Sequence, residues 1–138
     1  MVKHKGTEML ETERLILRRF TIDDADDMFN NWANDPEVTK YLTWLPHGKV
    51  DITRNLLESW IKEYEDLEKY NWTIVLKNIG KPIGSISVVE VSNIRERAEI
   101  GYCMGKKYWN QGIMTESLKA VVNYLITEIG FKRIQATH

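Results

Sequence analysis

The chain has 138 residues, a length that fits one domain with a real hydrophobic core. Hydrophobic residues make up 43% and charged residues 28%, ordinary for a soluble globular protein, and a formal net charge of −1 gives no electrostatic case for nucleic acid or an anionic membrane. No apolar run approaches a membrane span, and the Lys3-His4-Lys5 start leads into no signal-peptide core. A lone cysteine, Cys103, cannot form an internal disulfide, which fits a reducing, cytoplasmic setting.

Residues 1–9 read as a loosely attached leader. Residues 12–20 (TERLILRRF) read as a strand, with Leu15, Leu17 and Arg19 on one face and Ile16, Arg18 and Phe20 on the other. Thr21 caps a helix over residues 22–33, whose apolar stripe is Ala25, Met28, Phe29, Trp32 and Ala33. The acids Asp23, Asp24, Asp26 and Asp27 could suggest a metal, but four acids on a first turn are more simply helix-start charge. Asp35 caps and Pro36 begins a short helix through Tyr41. After a loop at residues 42–49, Asp51 caps a helix with Ile52, Leu56, Leu57, Trp60, Ile61 and Tyr64 on one face.

Residues 72–76 and 82–89 are strands joined by a turn through Asn78 and Gly80, close enough to predict an antiparallel hairpin. In the third strand, residues 97–104, Ala98, Ile100, Tyr102 and Met104 alternate with Glu99, Gly101 and Cys103. A polar turn over residues 105–111 leads to Gly112, which opens a helix. Met114, Leu118, Val121, Val122, Leu125, Ile126 and Ile129 share its buried face, and Gly130 fits a left-handed stop. Residues 132–138 begin another strand. No repeat, low-complexity stretch or linker suggests a second domain.

A strand that passes through a glycine-bearing loop into a helix N-terminus can hold an anion, because free amides and the positive end of the helix dipole point at one spot. Gly112 admits close approach, having no Cβ, and Lys106 and Lys107 can add charge at the rim. Taken alone, the same corner also reads as an ordinary strand-turn-helix junction with solvated lysines. His4, His47 and His138 are scattered, so Cys103 reads as a small buried hydrophobe rather than a nucleophile, and zinc is disfavoured. Neither a Walker lysine loop nor Gly-x-Gly-x-x-Gly occurs.

The stretch from Arg97 to Gly130 resembles the acetyl-CoA-binding segment of the GNAT N-acetyltransferases. That family's loop is Arg/Gln-x-x-Gly-x-Gly/Ala. Trp109-Asn110-Gln111-Gly112-Ile113-Met114 falls in register with it: Gly112 matches, Trp109 replaces the first residue and Met114 the last. The AEIGY strand, Tyr108-Trp109 in the turn and Thr115-Glu116 opening the helix look like the RimJ/RimL-type branch, which acetylates ribosomal-protein N-termini, and its small-amine relatives. The resemblance begins at the ETERLILR strand and covers nearly the whole chain.

That resemblance implies a single α+β domain over residues 1–138. It would hold a mixed, mostly antiparallel sheet with helices on both faces, and lack the family's C-terminal helix and last strands. It implies an acetyl-CoA-dependent N-acetyltransferase that needs no metal and acts on a primary amine, a protein N-terminus or a small amine, by direct attack in a ternary complex. The amides around Tyr102, Cys103 and Met104 would receive the pantetheine arm and acetyl carbonyl. Lys107, Trp109, Asn110, Gln111, Gly112, Ile113, Met114 and Thr115 would surround the rest of the cofactor. Glu99, the only carboxylate in the strand that approaches the thioester, is the candidate general base through water, the alternative being a surface or edge glutamate paired with Arg97 or another basic side chain. Tyr41 and Trp44 are candidate walls of the acceptor side, while Trp32 is read first as core. An exposed C-terminal strand edge predicts a homo-oligomer, or a longer natural protein of which this is a part. Rival readings are a CoA-binding or interaction module without turnover, and an inactive fragment.

Overall fold

The computed structural model describes every residue except Tyr41, Thr43, Trp44 and His138, and only the backbone of Thr137. Six strands form one sheet in chain order: β1 (Leu10–Glu11), β2 (Leu15–Arg18), β3 (Asn71–Leu76), β4 (Lys81–Ser92), β5 (Arg97–Met104) and β6 (Arg133–Thr137). Neighbours from β1 to β5 pair antiparallel, and β6 joins β5 in parallel after a helical crossover. This is the mixed, mostly antiparallel sheet of the expected α+β fold. No helix among the described residues is long and apolar enough to cross a membrane.

Strand alternation divides the sheet between two cores. Leu15, Leu17, Trp72, Ile74, Ile86, Ala98 and Ile100 face one side, where helix α4 (Ile113–Tyr124) lays Ile113 and Val121 against them. On the other side, helices α1 (Ala25–Met28), α2 (Pro36–Thr39) and α3 (Val50–Glu63) gather Phe20, Met28, Trp32, Val38 and Leu57. Each fully buried aliphatic or aromatic side chain of this kind contributes about 1.5–3 kcal/mol.

Helix α1 is the middle of one helical run, with a 3-10 turn (Ile22–Asp24) before it and a π turn (Phe29–Ala33) after it. Asp24 docks this run on β2. Its two carboxylate oxygens accept from the Arg18 guanidinium, each at 2.9 Å, and it also accepts the Thr21 amide at 2.7 Å. At least this member of the acidic cluster is therefore engaged as an ion pair. Asp35 caps α2 by accepting the Glu37 amide, as its position predicts.

Three local expectations are corrected. Lys49, extended at φ −138°, is the N-cap of α3; Asp51 lies in the first turn and pairs with Arg54, which leaves Ile52 half exposed. Helix α4 passes into a π turn (Leu125–Ile129), whose extra residue rotates the helix and turns Ile126 out to solvent while Leu125 and Ile129 stay buried. Residues 1–9 are held to the body rather than loose. Lys3 donates its amide to the Ile129 carbonyl (2.7 Å), and His4 bridges the Tyr70 hydroxyl and Asn93 Oδ1 (2.7 Å each). The Gly6 and Glu8 carbonyls accept from the Tyr124 hydroxyl (2.8 Å) and the Trp72 indole (2.6 Å). Buried hydroxyl and indole donors need acceptors, and this segment's backbone supplies them.

Two glycines let backbones meet at the end of β5. A Cβ on Gly84 of β4 would lie 2.5 Å from the Cys103 carbonyl oxygen, and one on Gly105 would lie 2.6 Å from the Asn31 carbonyl oxygen in the π turn. Asn31 is anchored there by its side-chain amide, which donates to the Pro82 carbonyl at 2.7 Å. Gly84→Ala is therefore expected to cost about 1–3 kcal/mol by overpacking, read as a lower urea midpoint at unchanged m-value. A wild-type midpoint would show that β4 and β5 part there without cost.

Candidate active site

The site is built where β5 ends. The Gly105 amide donates to Ile83 in the β4 strand (2.8 Å), and the Cys103 carbonyl is turned to Gly84 of the same strand. Backbone groups alternate along a strand, so Tyr102 and Met104 turn theirs the other way, toward the β6 side. There the Met104 carbonyl accepts the Trp109 indole N–H at 2.8 Å. The expectation that Cys103 offers its amide to a ligand is corrected by this register: its backbone belongs to β4. Met104 has its amide on the outer side.

Beyond a 3-10 turn (Lys106–Tyr108), the loop makes two left-handed steps, Asn110 at φ 61° and Gly112 at φ 75°. The second is the N-cap of α4, and no side chain caps that helix. The first-turn amides are thus presented outward with the positive end of the dipole behind them. Ile113 is buried in the α4 core, so only its amide can serve a ligand. Asn110, Gln111 and Thr115 are exposed, Gln111 tied by its side-chain amide to the Lys107 carbonyl (3.1 Å). The Lys107 ammonium lies over the Tyr108 ring, 5.9 Å from its centroid.

Beside this cradle lies an apolar pocket of about 390 Å³, lined by Val38, Leu42, Tyr102, Cys103, Met104, Trp109 and Met114. Five of those were singled out from sequence; Val38 and Leu42 were not, because nothing local says that α2 folds back over the end of β5. Trp109, which stands where the loop motif has Arg or Gln, spends its N–H on Met104 and gives its ring to the pocket wall. Tyr41 and Trp44 lie outside the described residues.

Glu99 is partly buried on β5, opposite Glu90 on β4 and Gln135 on β6. It shares a strand face with Gly101 and Cys103 and makes none of the ion pairs found among the described residues, so the expected alternative partner Arg97 does not hold it. Four residues of strand separate it from Cys103, roughly 13 Å along the chain. That span is far beyond a hydrogen bond, and the Val89 side chain comes within 3.2 Å of where a Cβ on the intervening Gly101 would be.

Sequence reasoning also passed over Arg14. From the start of β2 its guanidinium reaches the Gln111 carbonyl (3.0 Å) and the Glu116 carboxylate (2.7 Å). The partners lie about a hundred residues apart in the chain, and no local pattern links them.

Cys103 is half-buried, with its thiol behind the Ser85 hydroxyl at 3.4 Å. Burial pushes that thiol up to about 11, outweighing the hydrogen bonds from Ser85 that favour the thiolate. At pH 8 about one thiol in a thousand is ionised. Alkylation by iodoacetamide is expected to run far slower than that of free cysteine and to speed up through pH 11. Rapid labelling at pH 8 would show an accessible, activated thiol instead.

A family model described as an acetyltransferase (GNAT) domain matches residues 14–138. The chain is 32% identical over 129 residues to an uncharacterised N-acetyltransferase, p20, of Bacillus licheniformis, covering 94% of this chain and 72% of that protein. Among solved structures it resembles the ribosomal-protein-S5-alanine acetyltransferase of Vibrio fischeri, with a TM-score of 0.78 at 19% identity over 94% of this chain and 73% of that one. A RimL ribosomal L7/L12 α-N-protein acetyltransferase in complex with coenzyme A gives a TM-score of 0.78 at 21% identity, over 92% of this chain and 72% of that one. At these identities the two structures speak for the fold.

Proposed function

The chain belongs to the GNAT acetyltransferase family, whose members carry out acetyl-CoA-dependent N-acetylation, and from that premise we propose how its own residues act: a primary amine attacks acetyl-CoA directly, in a ternary complex, at the end of β5. One observation carries this reading. The uncapped N-terminus of α4 and the apolar pocket are contiguous, because Trp109 and Met114 line the pocket and Gly112 lies between them in the chain.

The amides of Gln111, Gly112 and Ile113 receive the cofactor's diphosphate, with Lys106 and Lys107 at the rim. The pantetheine arm runs beside Tyr102–Met104 into the apolar pocket. The Met104 amide donates to the thioester oxygen, where charge gathers as the amine nitrogen bonds to the carbonyl carbon. The C–S bond then breaks and CoA leaves as thiolate. Glu99 takes the amine's proton through water, from the α1–α3 side of the sheet, and the thiolate recovers a proton from solvent. The acceptor is a primary amine; the ribosomal-protein enzymes among the structural neighbours favour testing protein N-termini beside small amines.

A panel of amines and N-terminal peptides, followed by CoA release, tests this reading. Acetyl-CoA at one hundred times its dissociation constant is expected to add about 2.7 kcal/mol of stability. Absence of both binding and transfer would overturn the reading, and binding without transfer to any amine would favour a module without turnover. Glu99→Gln is expected to lower kcat about 100-fold or more at neutral pH, with little change in acetyl-CoA affinity. The deficit narrows at high pH, where free amine is abundant. Wild-type kcat would make Glu99 structural.

A further inference from the structure

Glu116 poses a physical problem for an anion site. It stands one turn into α4, and its amide donates to the Gly112 carbonyl (3.1 Å), so a carboxylate sits close behind the amides that face a diphosphate. Like charges at that range oppose binding. Arg14 and Thr12 answer it. Glu116 Oε1 accepts the Arg14 Nε–H at 2.7 Å. Its Oε2 accepts the Arg14 backbone amide at 3.0 Å and the Thr12 hydroxyl. All of this comes from the approach to β2, more than a hundred residues earlier.

The same guanidinium also holds the loop. Arg14 Nη1 donates to the Gln111 carbonyl at 3.0 Å, and Nη2 lies 3.6 Å from where a Cβ on Gly112 would be. A trans peptide is planar, with its C=O and N–H pointing in opposite directions. Fixing the Gln111 carbonyl on Arg14 therefore aims the Gly112 N–H away from Arg14, to the outer side of the loop. A left-handed glycine has wide conformational freedom, and this bond removes much of it.

We propose that Arg14 is the positioning residue of the cofactor loop: with Thr12 it neutralises Glu116 and sets the Gln111–Gly112 peptide so that its amide meets the diphosphate of acetyl-CoA. The inference rests on the acetyl-CoA reading above. Burial works upward on the Glu116 carboxyl, but the hydrogen bonds from Thr12 and Arg14 outweigh it and keep the group below the usual carboxylate range. The pair is thus fully charged at neutral pH. It is also partly exposed, and exposed ion pairs add little to stability. Its effect belongs in ligand affinity rather than in the melting temperature.

The test compares wild type, Arg14→Ala and Arg14→Lys with two acetyl donors: acetyl-CoA, and S-acetylpantetheine, which has the thioester but no diphosphate. Arg14→Ala is expected to raise Kd and KM for acetyl-CoA about tenfold, the scale of one charge-assisted hydrogen bond, with kcat at saturation within about twofold. With S-acetylpantetheine the loss should be much smaller. Arg14→Lys keeps the charge but cannot span Gln111 and Glu116 together, and should resemble Arg14→Ala. If Arg14→Ala melts more than a few degrees low, Arg14→Lys, which keeps the charge and most of the side-chain length, serves instead, with the same donor-specific loss of acetyl-CoA affinity expected. An unchanged Kd for acetyl-CoA in variants of a wild type that binds it overturns this inference alone. An equal loss with both donors also overturns it. A wild-type chain that fails to bind acetyl-CoA overturns the underlying reading as well.

Discussion

The candidate site depends on two absent side chains. Gly84 and Gly105 bring the backbones of β4, β5 and the π turn after α1 within contact at one point. Any Cβ there would wedge the strand end outward. Because the strands close up, the Gly105 amide can reach Ile83 and the Met104 carbonyl can take the Trp109 indole. Those two bonds determine where the chain leaves the sheet, and hence where the loop and the start of α4 stand. The π turn contributes by presenting Asn31 with its carbonyl against Gly105 and its side chain on Pro82. Irregular helical geometry at such a junction is a recurrent sign of a working site.

The site divides its chemistry by solvation. The pocket is walled by apolar side chains, while the helix start beside it offers backbone donors and a partial positive charge. With glycine at the N-cap, the missing side-chain cap forgoes only a few tenths of a kcal/mol. An anion held there, as proposed, would take the amides that no side chain caps.

Much of this could be read from the chain, for physical reasons that differ by element. The alternation of Ala98 and Ile100 with Glu99 and Gly101, and the helical spacing through Val121 and Leu125, are local patterns tied to burial, and both elements form where they predict. Gly130 is left-handed, as its place after the helix requires. What escaped were long-range or directional facts. Which backbone groups of residues 102–104 turn outward depends on the register with β4, which alternation of side chains does not report. The π turn that exposes Ile126 has no periodic signature of its own. Polar residues 1–9 look unattached because their anchors, Tyr70, Trp72 and Tyr124, read as core aromatics whose hydroxyl and indole donors need acceptors. Arg14 reads as a solvated strand residue until α4 is placed beside it.

Those same contacts have a consequence for biosynthesis. Residues 3, 6, 12 and 14 find their partners at 129, 124 and 116, more than a hundred residues further along. At roughly 5–20 residues per second, the amino-terminal segment waits several seconds or more on the ribosome before any of those partners exists. During that interval β2 can pair with β3, yet the face that α4 covers stays bare, with Leu15, Leu17, Trp72 and Ile74 open to other nascent chains and to chaperones. Slow decoding ahead of α4 would lengthen the time that this apolar face is unprotected.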